Sequence, residues 1–214
     1  MNTNKRVFTR LSLGFSILWT FSGLASILLA WGISFGLVLL ARSIVGDYVV
    51  VNGVRHITED YLFSWMFFPL IGLLQGGIQA LILREVHPRP GMWALVTPAG
   101  WIAGFVILRA VSEWFIAKRT FPEPPWFYLL TVFLTLGLCI SLAQWLVLRR
   151  WAARAGWWVL FSTLGWVILP LFSGESFTSV LELLLIGLLP SVFCLPAFWL
   201  MFDRRHGGQA EALP

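Results

Sequence analysis

Three glutamines, Gln75, Gln79 and Gln144, stand inside long apolar runs of this sequence. A carboxamide carries two N–H donors and an oxygen with two lone pairs, and an unpaired one is costly in an apolar medium. Each glutamine therefore either bonds to a neighbouring helix or holds a ligand, from a lipid headgroup to a pigment metal. Small residues accompany them at helical spacing. Gly72, Gly76 and Gln79 share a face, as do Gly137, Ser141 and Gln144; Thr97, Gly100 and Gly104 share another, as do Ser162 and Gly165. Small residues let helix backbones approach, and polar side chains there bond across the pair. These seven small residues (Gly72, Gly76, Gly100, Gly104, Gly137, Ser141, Gly165) read as helix-packing positions. The glutamines read first as glue, with Gln79 meeting Thr97 and Gln144 meeting Ser162 across each hairpin. A ligand role for Gln75, Gln79 and Gln144 is the sharper alternative.

Other reactive types are sparse, and each has a structural account. Cys139 and Cys194 both lie in apolar runs and do not form a secreted disulfide framework. His56, His87 and His206 all fall outside those runs, which disfavours a bis-histidine haem site. Arg109 and Glu113, four apart, are placed to pair at a helix end. Ser179 to Glu182 matches a capping box, putting Glu182 in a first helical turn near the outer surface. Pro190 and Pro196 are expected to kink the last apolar run and free carbonyls that line a cavity. No CxxC, HExxH, Walker A, GxGxxG or GxSxG motif occurs. No carboxylate pair or nucleophile–base set stands mid-run. The expectation is a protein without catalytic or metal residues, and nothing in the sequence names a cofactor.

The elements that position these residues follow from hydropathy. Of 214 residues, 58% are hydrophobic and 12% charged. About 20 apolar residues of helix cross a hydrocarbon core of about 30 Å, and several such runs cannot all be buried in a soluble core of this length. The spans read as 11–41, 62–84, 92–112, 126–148, 157–173 and 179–202, with an outer link at 42–61 and a disordered tail at 203–214. The fold class is all-α, a polytopic membrane protein of about six transmembrane helices in a single membrane domain. The first run exceeds the hydrocarbon thickness, so it should tilt or project. Its small residues, Ser12, Ser16, Thr20, Gly23 and Ala30, recur at helical spacing.

The pI near 9.9 does not point to nucleic acid, because the basic residues stand singly or in pairs at span ends. With the N-terminus inside, Lys5, Arg6, Arg10, Arg84, Arg89, Arg149, Arg150, Arg154, Arg204 and Arg205 fall inside, against Arg42, Arg55, Arg109, Lys118 and Arg119 outside. Cationic loops favour the cytoplasm, so both termini are expected there. Trp65, Trp114 and Trp126 on one side, and Trp93, Trp151, Trp157 and Trp158 on the other, read as interfacial belt anchors; stacking on a pigment or sugar is the alternative. In the link 42–61, Asn52-Gly53 lies between β-rich runs. Such a pair supplies the positive φ of a tight turn, so a small extracytoplasmic β-hairpin is expected over Tyr48 to Thr58, either a cap on its own helices or a docking surface or lid.

An internal repeat is the most specific pattern. An offset of 65 aligns Gly72 with Gly137, Gln79 with Gln144, Arg84 with Arg149, Gly91 with Gly156, Trp93 with Trp158, Gly100 with Gly165, and Trp101 with Trp166. No gap is needed. Residues 66–108 and 131–173 are thus expected to form two parallel-repeat helical hairpins. TrpLeuMetPheAspArg at 199–204 weakly echoes TrpLeuValLeuArgArg at 145–150, which suggests a decayed half-copy in the last run.

This pattern of Gln-x-Leu-x-Leu-Arg, a short basic link, Gly-Trp-Trp and then Gly-Trp resembles a loose group of uncharacterised bacterial multi-pass membrane proteins. The resemblance covers roughly residues 70–170. The first copy departs from it at Ala80 and Met92. The resemblance implies the bacterial inner (cytoplasmic) membrane and no particular activity. Two classes of function fit. One is a non-catalytic subunit or scaffold of a larger membrane complex, with the lipid bilayer and other membrane subunits as partners. The other is a small transporter or lipid- or small-molecule-binding protein with a cavity between the hairpins.

Overall fold

In hydrocarbon, every backbone N–H and C=O must be satisfied within the segment, and the α-helix does this. The apolar runs accordingly fold as helices in the computed structural model, which describes residues 13–51, 53–84, 90–118, 125–152, 154–172 and 180–202. The order is α1 (Leu13–Val45), β1 (Tyr48–Val51), β2 (Val54–Ile57), α2 (Thr58–Leu83), α3 (Gly91–Lys118), α4 (Pro125–Leu148), α5 (Gly156–Val167), a 3-10 turn (Leu169–Leu171) and α6 (Val180–Phe202). Five of these helices, α1 to α4 and α6, are long and apolar enough to cross a bilayer. The chain is a helical membrane protein with a small two-stranded sheet.

α5 departs from the expected span 157–173. Its α-helical part has 12 residues and passes into the 3-10 turn at Leu169–Leu171. The cause is Pro170, which has no N–H for the Trp166 carbonyl and whose ring clashes with it. The position 65 residues earlier is Phe105, and α3 runs through it to Lys118. At 1.5 Å per helical residue and 2.0 Å per 3-10 residue, Gly156–Leu171 rises roughly 24 Å, short of a 30 Å core.

α1 runs four residues beyond the expected 11–41 boundary, to Val45. Its 33 residues extend about 50 Å, more than a hydrocarbon core of about 30 Å needs. The hairpin follows its C-terminal end, and the link 42–61 is shorter than expected because α2 already begins at Thr58. β1 and β2 pair antiparallel, Tyr48 with Ile57 and Val51 with Val54. Gly53 holds φ +77°, as a tight turn requires; Asn52, the other expected turn residue, lies outside the described residues. The hairpin rests on its own helices. Arg42 of α1 pairs with Asp47 at 2.7 Å and with Glu59 of α2 at 2.5 Å. Thr58 Oγ1 donates to the Gly46 carbonyl at 2.8 Å.

Each helix packs mainly against its two neighbours in the chain, and α6 closes back on α1, giving a ring of six. The interior is layered. One apolar cluster holds Trp19, Leu83, Trp93, Leu148, Trp158 and Phe198. The other holds Ile27, Ile71, Trp101, Phe133, Ile140 and Trp166. Buried polar side chains accompany them: Ser22, Ser26, Gln75, Gln79, Thr97, Ser141, Gln144, Ser162 and Ser191. The expected tail 203–214 and the capping residue Ser179 lie outside the described residues. Glu182 does occupy the first turn of α6, as expected, and is buried there.

Candidate functional site

The candidate residues converge on the middle of the ring because glycine removes the side chains that would hold the helices apart. A Cβ on Gly72 would lie 2.8 Å from Pro98 Cα, on Gly76 3.0 Å from Pro98 Cδ, and on Gly137 2.8 Å from Trp166 Cβ. On Gly100 it would lie 2.7 Å from Ile140 Cα, on Gly104 2.9 Å from a Leu136 methyl, and on Gly165 2.7 Å from Pro190 Cα. The six glycines thus sit at α2–α3, α3–α4, α4–α5 and α5–α6 contacts. Ser141 is buried, donates to the Gly137 carbonyl and accepts from Thr163 Oγ1 at 3.3 Å.

Each of the two aligned glutamines bridges three helices. Gln79 Oε1 accepts from Trp93 Nε1 of α3 at 2.9 Å, while its Nε2 reaches Ser22 Oγ of α1 at 3.5 Å. The Ser22 hydroxyl donates to the Trp19 carbonyl at 2.6 Å, leaving its oxygen free to accept. Gln144 Oε1 accepts from Trp158 Nε1 of α5 at 3.0 Å, and its Nε2 donates to Thr97 Oγ1 of α3 at 3.1 Å. The two acceptors are 65 apart (79 and 144), and so are the two donors (93 and 158).

This corrects the expected pairing. Gln79 does not bond Thr97, and Gln144 does not bond Ser162. Within each helix pair the partner is an indole N–H, and the hydroxyl comes from the helix before the glutamine. The belt assignment of Trp93 and Trp158 is corrected with it. Both are 1% exposed, because an indole combines large apolar bulk with one donor and the glutamine supplies the acceptor. Trp65, Trp114, Trp126, Trp151 and Trp157 remain exposed. Gln75 is also committed: its Oε1 accepts from Trp101 Nε1 at 2.8 Å.

A third unit closes the ring. Gly100 faces Cys139, Ile140 and Ala143, and Gly165 faces Leu189, Pro190 and Phe193. Each α6 contact is 50 residues beyond its α4 counterpart (139 to 189, 140 to 190, 143 to 193). In that register Gly187, Ser191 and Cys194 stand where α4 has Gly137, Ser141 and Gln144. The 199–204 echo of 145–150 is therefore out of register by four residues, about one helical turn. α1 takes the place of α3 and α5: a Cβ on Gly187 would lie 2.6 Å from Leu24 Cα. Trp19, Gly23, Ser26, Ile27 and Ala30 are buried at the spacing of Trp93, Thr97, Gly100, Trp101 and Gly104, and of Trp158, Ser162, Gly165, Trp166 and Leu169.

Trp19, Trp93 and Trp158 meet in the middle as a triangle, with ring centroids 5.9 Å, 5.8 Å and 5.3 Å apart and edge-to-face geometry throughout. Phe198 closes against Trp19 at 4.8 Å and Trp158 at 5.0 Å. In the third unit Cys194 and Ser162 of α5 are both buried and line one cavity, in the places that Gln144 and Thr97 of α3 hold one unit earlier.

Beside this triangle lies a cavity of about 10 Å³, lined by Gln75, Gln79, Gln144, Ser191 and Cys194 among others. A second, also about 10 Å³, shares Gln75 and Pro190 with it. Its lining includes Ile186, four residues before Pro190, which has no N–H to offer the Ile186 carbonyl. A far larger groove, about 360 Å³, opens between α1 and α2 and runs past Phe15, Leu18, Phe21, Ser22, Leu81 and Arg84. Among the described residues no group of three or more His, Cys, Asp or Glu is placed to hold a metal. No sequence signal marked Trp19 or Cys194 as members of a third unit, since neither the 65-residue offset nor any other single offset reaches both α1 and α6. Compared with known proteins, the chain matches no family model, no curated protein and no solved structure.

Proposed function

We propose that this chain is a non-catalytic scaffold subunit of a larger assembly in a bacterial inner membrane. Six helices would cross the bilayer, α5 as a short sixth span, with both termini cytoplasmic and the β-hairpin outside. Its core would be two parallel-repeat hairpins, α2–α3 and α4–α5, completed by the α6–α1 pair. The observation that carries the reading is the triangle of Trp19, Trp93 and Trp158. It fills the place where a transporter or ligand-binding ring would keep its cavity, and the adjacent voids are water-sized. The glutamines already bond to protein, which favours glue over a ligand role. The outward surface offers large apolar side chains such as Leu28, Trp31, Phe35 and Leu40, suited to lipid or to another membrane subunit.

The groove between α1 and α2 favours a second reading, a phospholipid-binding protein. One acyl chain would lie along Phe15, Leu18 and Phe21, with the phosphate at Arg84. Purification in mild detergent, followed by crosslinking and mass spectrometry, tests both. A stoichiometric protein partner supports the scaffold. A retained lipid lost in Arg84→Ala supports the groove. A lone chain carrying neither overturns both.

A further inference from the structure

We infer that the central cavity is a structural water site, in which one water takes the place of the amide that the third helix pair lacks. Trp19 is wholly buried, at 0% exposure, yet among the described residues its indole N–H has no hydrogen-bond partner. A buried donor left in that condition is costly, and native structures rarely tolerate it. In the two corresponding places the same indole N–H is taken up, Trp93 by Gln79 and Trp158 by Gln144. At the third place the chain has Cys194. Its side chain is shorter than glutamine and is only a weak acceptor.

The space is matched to this role. The cavity is about 10 Å³, the lower limit for holding one water. Both Trp19 and Cys194 line it, as do Gln79, Gln144 and Ser191, whose side chains each carry an accepting oxygen. A buried water needs about two to four polar partners; here it would accept from Trp19 Nε1 and donate to two of those oxygens. The lining carries no ionisable group except the thiol, so it suits a neutral molecule and not an ion. It is also too polar to stay dry in the way that cavities lined by Leu, Ile and Phe do.

The test uses the full chain in lipid nanodiscs, at a resolution that shows ordered water. The expected result is a water within about 3.2 Å of Trp19 Nε1. Cys194→Gln should expel it and put the new amide oxygen on Trp19, with a higher melting temperature than the parent. Should Cys194→Gln not fold, the infrared N–H difference spectrum between the parent and Trp19→Phe decides. The band lost should lie at hydrogen-bonded frequency and narrow its difference from the Trp93 and Trp158 bands. A lost band at the free indole frequency overturns the proposal, as does a dry cavity or a rotated Gln79 or Gln144 found bonded to Trp19.

Discussion

Trp158 donates its indole N–H to Gln144 at 3.0 Å, and Gln144 passes the connection on to Thr97 at 3.1 Å. One carboxamide on α4 thus ties α5 to α3. Gln144→Leu removes both bonds and leaves a buried indole donor unpaired, so it should destabilise the protein by about 1–3 kcal/mol. For a chain of this size that is about 2–4 °C of melting temperature per kcal/mol. Gln79→Leu should cost less, because its second contact, to Ser22, is at 3.5 Å. Thermal unfolding in detergent, followed by circular dichroism, gives the order. An equal or larger loss at Gln79 would contradict the network.

The two glutamines should not behave as independent sites. α3 carries both Thr97, bonded by Gln144, and Trp93, which donates to Gln79 and touches Trp158 at 5.3 Å. Contacting sites of this kind show interaction energies of about 0.5–3 kcal/mol. The double Leu variant should therefore depart from the sum of the single losses by at least about 0.5 kcal/mol. Strict additivity would mean that the helix pairs do not communicate through the centre.

The three tryptophans of the triangle should respond differently to phenylalanine. Trp93→Phe and Trp158→Phe each remove an indole N–H bonded directly to a glutamine and leave the amide oxygen unpaired. Trp19→Phe removes an N–H with no protein partner among the described residues, so its loss should be the smallest. Chemical unfolding of the three single variants under one condition checks the ranking; Trp19→Phe as the most damaging would refute it.

Glycine substitutions separate contact from helix propensity. Gly100→Ala places a methyl group 2.7 Å from Ile140 Cα, where only a shift of α3 away from α4 makes room, at a cost of about 1–3 kcal/mol. Gly77→Ala meets nothing within 4 Å. It should be neutral, or stabilising by up to about 1 kcal/mol through helix propensity. Melting temperatures of the pair, on the same helical scaffold, supply the comparison.

Arg42 holds the hairpin to two helices through Asp47 and Glu59, and the three side chains are 44%, 63% and 41% exposed. Exposed pairs contribute little to global stability. Arg42→Ala should leave the melting temperature nearly unchanged while amide exchange at Val49 to Val51 speeds up. Unchanged exchange there would assign the hairpin's order to Thr58 and Gly46 alone.

The sequence by itself determined the solvent, the helices and their close approaches. Long uncharged runs can only be helices in a bilayer, Gly53 marks a turn, and the glycines at 72, 100, 137 and 165 mark contacts. It also determined that Gln79 and Gln144 occupy like positions, because one offset spans both. Only the tertiary structure decided which way each helix faces and what each amide holds. In water, apolar residues point inward and charge points out; in lipid, the outer face is as apolar as the core, so periodicity does not separate them. Trp93 and Trp158 therefore looked like interfacial anchors until the packing placed them in the centre. The α6–α1 pair stayed hidden for a different reason. Its two helices come from opposite ends of the chain, and it is the closing of the ring, a relation in space and not in sequence spacing, that brings Cys194 and Trp19 to the position where the other units have glutamine and tryptophan.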